Sequence, residues 1–328
     1  MVRNTQSRFA IALVIALSAM PLAAQTVSWR PDKNVEIIVG SGAGGGIDGT
    51  ARLLQRIWQT TNALPVTTTV INRPGAGGAI SWVYMNQHKS DGHFINISPT
   101  NLITNRIIGS HEINHTDVTA LAMLFNEYAS IAVRKDSQIN SFKELISRLQ
   151  TTPELVTIGL PSVGNIFHLG IARIMRLAGG DPRKLKIVVF KSPAESLTAL
   201  LGGHIDLVPT APANVISYVQ SGTVRILALT SPTRLTGELA NVPTLREQGI
   251  DVVVTNWRAV VGPKGMTAAQ VAYWDSVFSH TLRHEDWTKD IVRNLRDGNF
   301  LLSADTAKFF VAQNEEFRQA LTDIGLAK

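Results

Sequence analysis

The sequence predicts an α/β protein with two α/β domains that are joined by a hinge of two extended strands. Three observations support this fold class. Runs of β-branched residues alternate with segments that carry apolar residues at helical spacing, a pattern typical of βαβ units. The alternation occurs in two series, and two long apolar segments, near Ala122–Val133 and Val252–Val261, run between them. The chain has 328 residues, of which 45% are hydrophobic, and this is enough material for two cores.

The N-terminus has the pattern of an export signal. Arg3 and Arg8 precede an apolar stretch from Phe9 to Ala19, which is too short to span a bilayer comfortably. Small residues follow, and they predict a signal peptide over 1–24 that is cleaved after Ala24. A membrane anchor is the alternative interpretation of this segment.

The first predicted unit is a strand, a glycine-rich loop and a helix. Val35 to Val39 is a short apolar run, and five glycines follow within residues 40–46. Asp48 occupies the position expected of an N-cap, ahead of a helix from about Thr50 to Thr61. Backbone N–H groups at such a loop, together with the positive end of a helix dipole, favour an anion.

A second unit of the same kind follows. Val66 to Ile71 consists almost entirely of β-branched residues and predicts a strand. The loop over 72–78 is again rich in glycine, and the helix after it has Ile80, Val83 and Tyr84 on one predicted apolar face. Each loop alone would suit a tight turn, but two in tandem, with more glycine than a turn needs, favour ligand binding.

The third predicted strand, Gly92 to Ser98, ends beside Thr100. In a parallel sheet the carboxyl ends of the strands meet at one edge, where open α/β sheets bind ligands. We therefore expect Thr100 and both glycine-rich loops at the same edge.

The middle of the chain repeats the alternation. The predicted elements are a helix opened by the capping box Ser141–Glu144, a strand over 155–159, a loop over 161–165, a helix that contains His168, a strand over 185–190, a helix capped at Ser192, and strands over 205–208 and 224–230. These elements predict a second βαβ series, whose loops face those of the first.

The C-terminal part returns to the first domain through the extended segment Val252–Val261. Two terminal helices are predicted, the first with Val271, Trp274 and Phe278 on one face and the second with Phe309, Phe310 and Phe317. The predicted division is therefore domain 1 over 28–126 and 251–328, and domain 2 over 127–250. Because no low-complexity linker separates them, a short hinge is expected.

A dinucleotide site is one alternative for the first loop. Gly40–Gly45 fits G-x-G-x-x-G after a strand. That fingerprint also requires an acidic residue near the end of the second strand to hold the ribose, and no Asp or Glu lies between Asp48 and Asp91. The dinucleotide interpretation is therefore the weaker one.

A zinc metallohydrolase is the other alternative. The residues His111-Glu112-Ile113-Asn114-His115 form a literal H-E-x-x-H, the zinc protease signature. The chemistry needs both histidines on one face of a stable helix. The flanking Gly109-Ser110 and Thr116-Asp117 are turn-prone, so a solvated loop is favoured.

The composition and the remaining motifs narrow the function further. The chain has no cysteine, which excludes disulfides and thiolate metal sites, and its formal charge of +6 favours anionic partners. The basic residues are scattered, so no nucleic-acid partner is expected. The sequence has no G-x-S-x-G elbow and no Walker A lysine. We predict no enzyme activity, no catalytic residue, no metal and no cofactor.

Two segments carry a family likeness. Val39–Asp48 is close to an A-G-G-x-x-D loop, and Asn72–Gly78 fully matches the second loop of the same family. The chain thereby resembles the periplasmic solute receptors of tripartite tricarboxylate transporters (Bug receptors), over essentially its whole mature length. The resemblance implies a type II periplasmic binding protein fold that closes on a small carboxylate, a membrane permease as partner, a monomer and a periplasmic location.

The resemblance also implies where the ligand is held, largely through backbone groups and ordered waters. The family's G-x-G-S-x-x-H stretch corresponds to Ser162–His168, where Gly164 and His168 are kept, serine replaces the first glycine and asparagine replaces the serine. The expected ligand-binding residues are Ser41, Gly42, Ala43, Gly44, Gly45 and Asp48, then Gly75, Ala76, Gly77, Gly78 and Thr100, then Ser162, Gly164, Asn165 and His168, and finally Arg258.

The segment Asn256–Gly265 looks most like the citrate-type branch of the family. Arg258, on the return crossing, would pair with an additional carboxylate of a tricarboxylate such as citrate. A surface arginine on a hinge strand is the alternative interpretation of this residue.

Overall fold

The protein is described by a computed structural model over residues 28–161, 163–298 and 300–328. The predicted signal peptide lies outside the described residues. Within the described ranges, no helix combines the length and apolar character needed to cross a membrane.

The strands and helices alternate along the chain, as predicted. The strands are β1 (Val35–Val39), β2 (Thr68–Asn72), β3 (Phe94–Pro99), β4 (Val118–Tyr128), β5 (Ser130–Arg134), β6 (Thr157–Leu160), β7 (Lys186–Val189), β8 (Val208–Thr210), β9 (Val224–Leu229), β10 (Thr255–Pro263) and β11 (Leu301–Leu302). The α-helices are α1 (Gly46–Thr61), α2 (Ala79–Asn86), α3 (Asn101–Ile107), α4 (Phe142–Thr151), α5 (Ile166–Leu177), α6 (Pro193–Leu201), α7 (Ile216–Gln220), α8 (Ala268–Thr281), α9 (Glu285–Arg293) and α10 (Ser303–Asp323).

The larger sheet has six strands in the order β11-β4-β10-β3-β1-β2. Strand β1 is parallel to both β2 and β3, with Val39 opposite Asn72 on one side and Ile97 on the other. The carboxyl ends of these three strands therefore lie at one edge, which confirms the expected meeting of the two glycine-rich loops and Thr100. Strand β10 runs antiparallel to its neighbours and places Arg258 opposite Pro99.

The middle of the chain forms two smaller sheets, one of order β8-β5-β9 and one in which β6 and β7 are parallel. A single bridge between Ile158 and Leu207 connects the two. The carboxyl ends of β6 and β7 lead into the loops at 161–165 and 190–192, so these loops also share an edge.

Thr230 connects the two segments through which the chain passes between the larger sheet and the smaller sheets. Its hydroxyl oxygen accepts a hydrogen bond from the N–H of Ala129, between β4 and β5, at 2.7 Å. The same hydroxyl donates to the carbonyl of Val254, just before β10, at 3.0 Å. The chain changes sheets at these points, and the predicted domain boundaries at 127 and 250 stay a prediction.

Helices cover both faces of the six-stranded sheet. On one face, Trp58 of α1 packs with Trp274 and Phe278 of α8, and its indole N–H donates to the hydroxyl of Thr281 at 2.8 Å. On the other face, Trp257 packs against Phe310 of α10. These buried aromatic contacts fix the sheet that carries the candidate site.

Three details of the sequence prediction were wrong. Ile80 and Val83 of α2 are 49% and 42% exposed, whereas Trp82 is buried and donates its indole N–H to Ser98. The hydrogen bond and the larger ring decide which face packs inward. Helix α9 was not predicted because its apolar residues are few. Helix α1 begins at Gly46, so Asp48 lies inside its first turn and is not the N-cap.

Candidate functional site

The first glycine-rich loop, residues 40–45, is fastened by the carboxylate of Asp48. Its Oδ2 accepts hydrogen bonds from the N–H of Gly44 at 2.9 Å and from Nε of Arg52 at 2.8 Å. Its Oδ1 accepts from Nδ2 of Asn72 at 3.0 Å, and the same amide donates to the carbonyl of Ser41. Asp48 therefore connects the first loop, α1 and the start of the second loop.

These contacts hold Asp48 in its charged form. Burial alone would raise the pKa of this carboxyl, but the hydrogen bonds from Arg52, Gly44 and Asn72 and the charge of Arg52 outweigh burial, so its pKa is lowered. With both oxygens occupied by protein donors and the side chain buried, Asp48 positions the loop. Direct contact with a ligand, as the sequence analysis expected, stays a prediction.

The second glycine-rich loop, residues 73–78, has an unusual backbone. Gly75, Ala76, Gly77 and Gly78 all have positive φ, with Ala76 at 47°. A residue with a β-carbon rarely adopts this conformation, and such strain concentrates at functional sites. The first three of these residues are exposed, so their backbone groups are accessible to a ligand.

The two loops touch each other. A β-carbon on Gly40 would come within 2.9 Å of the Cα of Gly78 and of the hydroxyl oxygen of Ser81. Only glycine permits this approach of the two backbones. The contact makes the two loops a single surface at the carboxyl edge of the sheet.

On the opposite side of the candidate cleft, the N-terminus of α5 is closed by local hydrogen bonds. Asn165 is the N-cap, and its Oδ1 accepts from the N–H of His168 at 2.8 Å. The N–H of Gly164 donates to Nδ1 of His168 at 3.0 Å. Because Nδ1 accepts, the proton of the neutral ring lies on Nε2.

His168 is uncharged at neutral pH. It is buried on α5, and this burial lowers the pKa of its imidazole to about 4. The neutral ring accepts the hydrogen bond from Gly164 and thereby orders the turn before α5. We place His168 in a positioning role, and ligand contact through Nε2 stays a prediction.

Helix α3 connects the two sides of the site. A β-carbon on Gly77 would lie 3.1 Å from Nδ2 of Asn105, so the second loop rests on α3. A β-carbon on Gly164 would overlap the Cδ1 of Ile108, directly after α3. Asn105 and Ile108 are three residues apart, about 4.5 Å along a helix axis. The second glycine-rich loop and the loop before α5 therefore approach each other across α3.

Two polar side chains of the candidate site have buried atoms without a hydrogen-bond partner among the described residues. They are the hydroxyl of Ser41, in the first loop, and Nδ2 of Asn165, at the N-cap of α5. A buried donor without a partner costs about 1–3 kcal/mol. Both atoms would regain a partner if an acceptor, such as a carboxylate oxygen, occupied the site.

Thr100 and Ser162 are less informative. Thr100 is fully buried, and its hydroxyl lies 3.5 Å from Oδ1 of Asn256 on β10. It lies directly after β3 at the predicted edge, and its contact with a ligand stays a prediction. Ser162 lies outside the described residues.

Arg258 has an internal partner. Its Nη2 lies 3.0 Å from Oε2 of Glu127 on β4, and its Nη1 donates to the carbonyl of Trp257. Oε1 of Glu127 accepts from Nε of Arg296 at 3.1 Å. Burial lowers the pKa of Arg258, an effect that the charge of Glu127 opposes and that of Arg296 reinforces. The guanidinium thus compensates a buried carboxylate of the hinge strands.

The H-E-x-x-H stretch does not form the helix that zinc binding requires. His111 and Glu112 lie outside regular structure, and only His115 belongs to a short 3₁₀ turn over His115–Asp117. Nδ1 of His111 accepts from the N–H of Ile113, and Glu112 pairs with Arg106. In the described ranges, no cluster of three or more His, Asp or Glu residues is arranged to hold a metal ion.

Sequence reasoning missed two residues that position the site. Asn72 joins Asp48 to the first loop, and Asn105 supports the second loop. Asn72 belongs to the quoted loop motif, so its amide was a detectable signal. No sequence signal pointed to Asn105, because its role depends on how α3 packs.

Comparison with known proteins finds relatives along nearly the whole chain. The sequence matches the family described as "Tripartite tricarboxylate transporter family receptor" over residues 51–326. It is similar to the "UPF0065 protein in gbd 5'region" of Cupriavidus necator, with 27% identity over 317 residues, which cover 96% of this chain and 94% of that protein.

The fold is similar to those of solved binding proteins. A TctC solute binding protein from Polaromonas, solved without ligand, gives a TM-score of 0.69 at 26% identity, over 89% of this chain and 99% of that chain. The periplasmic binding protein BugD gives a TM-score of 0.80 at 22% identity, over 91% and 99% of the two chains. The predicted α/β fold of the type II periplasmic binding class is thereby confirmed.

Proposed function

This chain belongs to the family of tripartite tricarboxylate transporter receptors, and on that premise we propose that it captures a small carboxylate between its two glycine-rich loops and the N-terminus of α5. The protein then acts by binding and not by catalysis. A carboxylate is an acceptor with two oxygens, and it suits a site built from backbone and amide donors.

This proposal rests mainly on two buried donors, the hydroxyl of Ser41 and Nδ2 of Asn165, which have no hydrogen-bond partner among the described residues. Ser41 and Asn165 belong to loops that come from different sheets, and the sequence predicts both in the site. One bound carboxylate would give an acceptor to both donors and would draw the two loops together. Hinge closure around an anion is the expected consequence.

The cellular role follows from the family premise. We propose that the predicted signal peptide over 1–24 is removed, that the mature receptor works in the periplasm as a monomer, and that its closed form presents the ligand to a membrane permease. The exposed second loop would then be covered on closure.

Citrate is the first tricarboxylate candidate, and its selection rests on Arg258 as the partner of an additional carboxylate. Glu127 already occupies one edge of that guanidinium. If Arg258 nevertheless binds an additional carboxylate, Arg258→Gln will weaken citrate binding at least tenfold more than succinate binding. Equal losses for the two ligands would remove Arg258 from the ligand site.

A thermal-shift screen tests the proposed function. The mature protein would be screened against di- and tricarboxylates, amino acids and nicotinate, with the corresponding amides as controls. A ligand at one hundred times its dissociation constant stabilises the fold by about 2.7 kcal/mol. Stabilisation by carboxylates and not by their amides is expected. No stabilisation by any carboxylate, or stoichiometric zinc in the purified protein, would contradict the proposal.

A further inference from the structure

We infer that the ligand-free receptor is held open by an electrostatic latch between α5 and α10, beyond the hinge from the carboxylate site. The latch consists of Arg173 and Arg176 on α5 and of Glu316 and Asp323 on α10. The inference rests on the proposed function, because it concerns what opposes closure around the bound carboxylate.

Helix α5 passes directly over the hinge. Gly170 lies in the middle of this 12-residue helix, and a β-carbon on it would come within 2.7 Å of Cγ2 of Val254. Glycine is unfavourable inside a helix, and here it permits a contact that a side chain would prevent. The carbonyl of Val254 also accepts the hydrogen bond from Thr230, so α5 rests on the residue that joins the two crossings.

The contact at Gly170 divides α5 into two arms. The N-terminal arm starts at the cap Asn165, in the candidate site, and the C-terminal arm carries Arg173 and Arg176. Helix α5 packs against the smaller sheets, whereas α10 packs on the six-stranded sheet. Because a helix is rigid, rotation about the hinge moves its two ends in opposite directions. When Asn165 moves towards the glycine-rich loops, the C-terminal arm therefore moves away from α10.

A groove separates the C-terminal arm from α10. It contains a cavity of about 320 Å³ between the two helices and a smaller one of about 90 Å³ beside the hinge. Val253 and Val254 line the smaller cavity, and the exposed Leu177 lines the larger one. Protein interiors are close-packed and leave few voids larger than a water molecule. The two helices therefore have room to approach each other.

The two walls of the groove carry opposite charges. Arg173 and Arg176 lie on the α5 wall, and Arg173 lines both cavities. Glu316 and Asp323 lie on the α10 wall, and Glu316 likewise lines both cavities. In the part of the chain that the structure describes, neither arginine has a carboxylate within the 4.0 Å of an ion pair. The complementary charges thus face each other across the groove without touching.

Both carboxylates accept hydrogen bonds from neutral amides. Glu316 accepts from Nε2 of Gln313 at 2.7 Å, and Asp323 accepts from Nε2 of Gln319 at 2.8 Å. An amide does not neutralise a carboxylate, so both charges remain available to a cation. The side-chain oxygen of Gln313 also accepts from the indole N–H of Trp257, which holds Glu316 in a fixed position relative to β10.

The spacing of the four residues allows two ion pairs to form together. Arg173 and Arg176 are about one turn apart on α5, and Glu316 and Asp323 are about two turns apart on α10. Opening of the cleft brings Arg173 towards Glu316 and Arg176 towards Asp323. Ion pairs that exist only in the open form favour that form, and they lower the apparent ligand affinity in proportion to the closed fraction.

Isothermal titration calorimetry of the mature protein with succinate, adipate and citrate tests the latch. Arg173→Gln with Arg176→Gln should raise the affinity for each carboxylate that binds about fivefold, since two exposed ion pairs have about that effect. The control, Arg56→Gln with Arg318→Gln, makes the same change in net charge at two exposed arginines that do not line the groove. It should bind as the wild type does.

A charge exchange separates the ion pairs from an effect on packing. Arg173→Glu places a carboxylate opposite Glu316 and should also raise the affinity. The exchanged variant, Arg173→Glu with Glu316→Arg, restores an attractive pair and should return the affinity to within twofold of the wild type.

The latch also predicts a difference in the absence of any ligand. Spin labels on Gln59→Cys of α1 and Lys143→Cys of α4, both exposed, report the opening between elements of different sheets. In the ligand-free protein, Arg173→Gln with Arg176→Gln should have a larger share of short distances than the wild type. The control variant should have the wild-type distribution.

The outcomes separate the latch from the proposed function. If a carboxylate binds but the latch variant has the affinity of the control or a lower one, or if the exchange does not restore wild-type affinity, the latch is wrong and the carboxylate receptor remains. If none of the three carboxylates binds while the ligand-free distances shorten in the latch variant, the latch stands and the proposed function loses its support. Unchanged distances together with no binding would contradict both.

Discussion

Asp48 shows how one buried carboxylate orders a binding loop. It is nearly inaccessible to solvent, and its oxygens accept from Gly44, Arg52 and Asn72. Many candidate ligand groups in the two glycine-rich loops are backbone atoms, and backbone atoms have no rotamer to adjust. Their positions depend on residues such as Asp48 that hold the loop.

Asp48→Asn should therefore destabilise the protein and weaken ligand binding together. The amide keeps the shape, but its NH2 group faces other donors and leaves Arg52 without a counter-charge. We expect a loss of about 1–3 kcal/mol in the free energy of unfolding, measured with urea. Asp305→Asn, which breaks the exposed pair with Lys308, is the matched control and should cost less than about 0.5 kcal/mol. Similar small losses for both variants would show that Asp48 does not hold the loop.

His168 predicts a specific dependence of stability on pH. Its pKa is lowered from 6.5 to about 4 by burial, so below pH 6.5 the unfolded chain binds a proton that the folded protein does not. The stabilising contribution is complete above pH 6.5 and is lost as the pH falls towards 4. Its size is on the order of 3 kcal/mol.

Urea unfolding between pH 7.5 and pH 4.5 measures this dependence. His168→Gln removes the titrating group and should flatten the decline, whereas His280→Gln, on the exposed end of α8, should leave the wild-type slope. Burial also lowers the pKa of His115, so part of the decline remains in His168→Gln, and the difference in slope from the wild type measures the share of His168. An unchanged slope in His168→Gln would rule out the buried neutral imidazole.

At the scale of elements, the N-terminus of α5 combines a structural cap with a free donor. Oδ1 of Asn165 caps the helix, and Nδ2 has no partner among the described residues. Asn165→Asp keeps the capping oxygen and replaces the donor by a negatively charged acceptor. Folding stability should be equal or higher, because a carboxylate suits a helix N-terminus.

Carboxylate affinity in Asn165→Asp should fall at least tenfold, since the bound anion would face a like charge. Ser141→Asp is the matched control, because Ser141 caps a different helix, α4, and is not among the candidate ligand-binding residues. That variant should keep wild-type affinity in a calorimetric titration. Unchanged affinity in Asn165→Asp would exclude the α5 terminus from the ligand site.

The elements also show what local sequence patterns can and cannot predict. The β-branched runs and glycine-rich loops gave β1, β2 and β3 with their loops at one edge, because strand propensity and glycine content are local properties. The packed face of α2 was wrong, because a hydrogen bond from Trp82 to Ser98 of another element decided it. The partner of Arg258 was not foreseen either, because Glu127 lies 131 residues away in sequence and meets it only through the pairing of β4 with β10.

At the scale of the whole molecule, the two crossings are tied at Thr230, which bonds to Ala129 and Val254. A hinge of this kind restricts motion to rotation about a narrow region, so ligand capture should change the distance between the two sheets.

The absence of cysteine makes this closure measurable, because two introduced cysteines can be labelled without background. Gln59→Cys on α1 and Lys143→Cys on α4 are exposed and lie on elements that flank different sheets. We expect the distance between spin labels at these positions to shorten when a binding carboxylate is added and to stay constant with its amide. A distance unaffected by a saturating ligand would contradict hinge closure.

The central claim is that the cleft recognises a carboxylate through donors on both of its sides. Isothermal titration calorimetry of the mature protein with a carboxylate and with its amide tests this most directly. The account predicts saturable one-to-one binding of the carboxylate, binding of the amide at least a hundredfold weaker, and a loss of about tenfold or more in each of Ser41→Ala and Asn165→Asp. Equal binding of the acid and the amide, or carboxylate binding that neither variant alters, would contradict it.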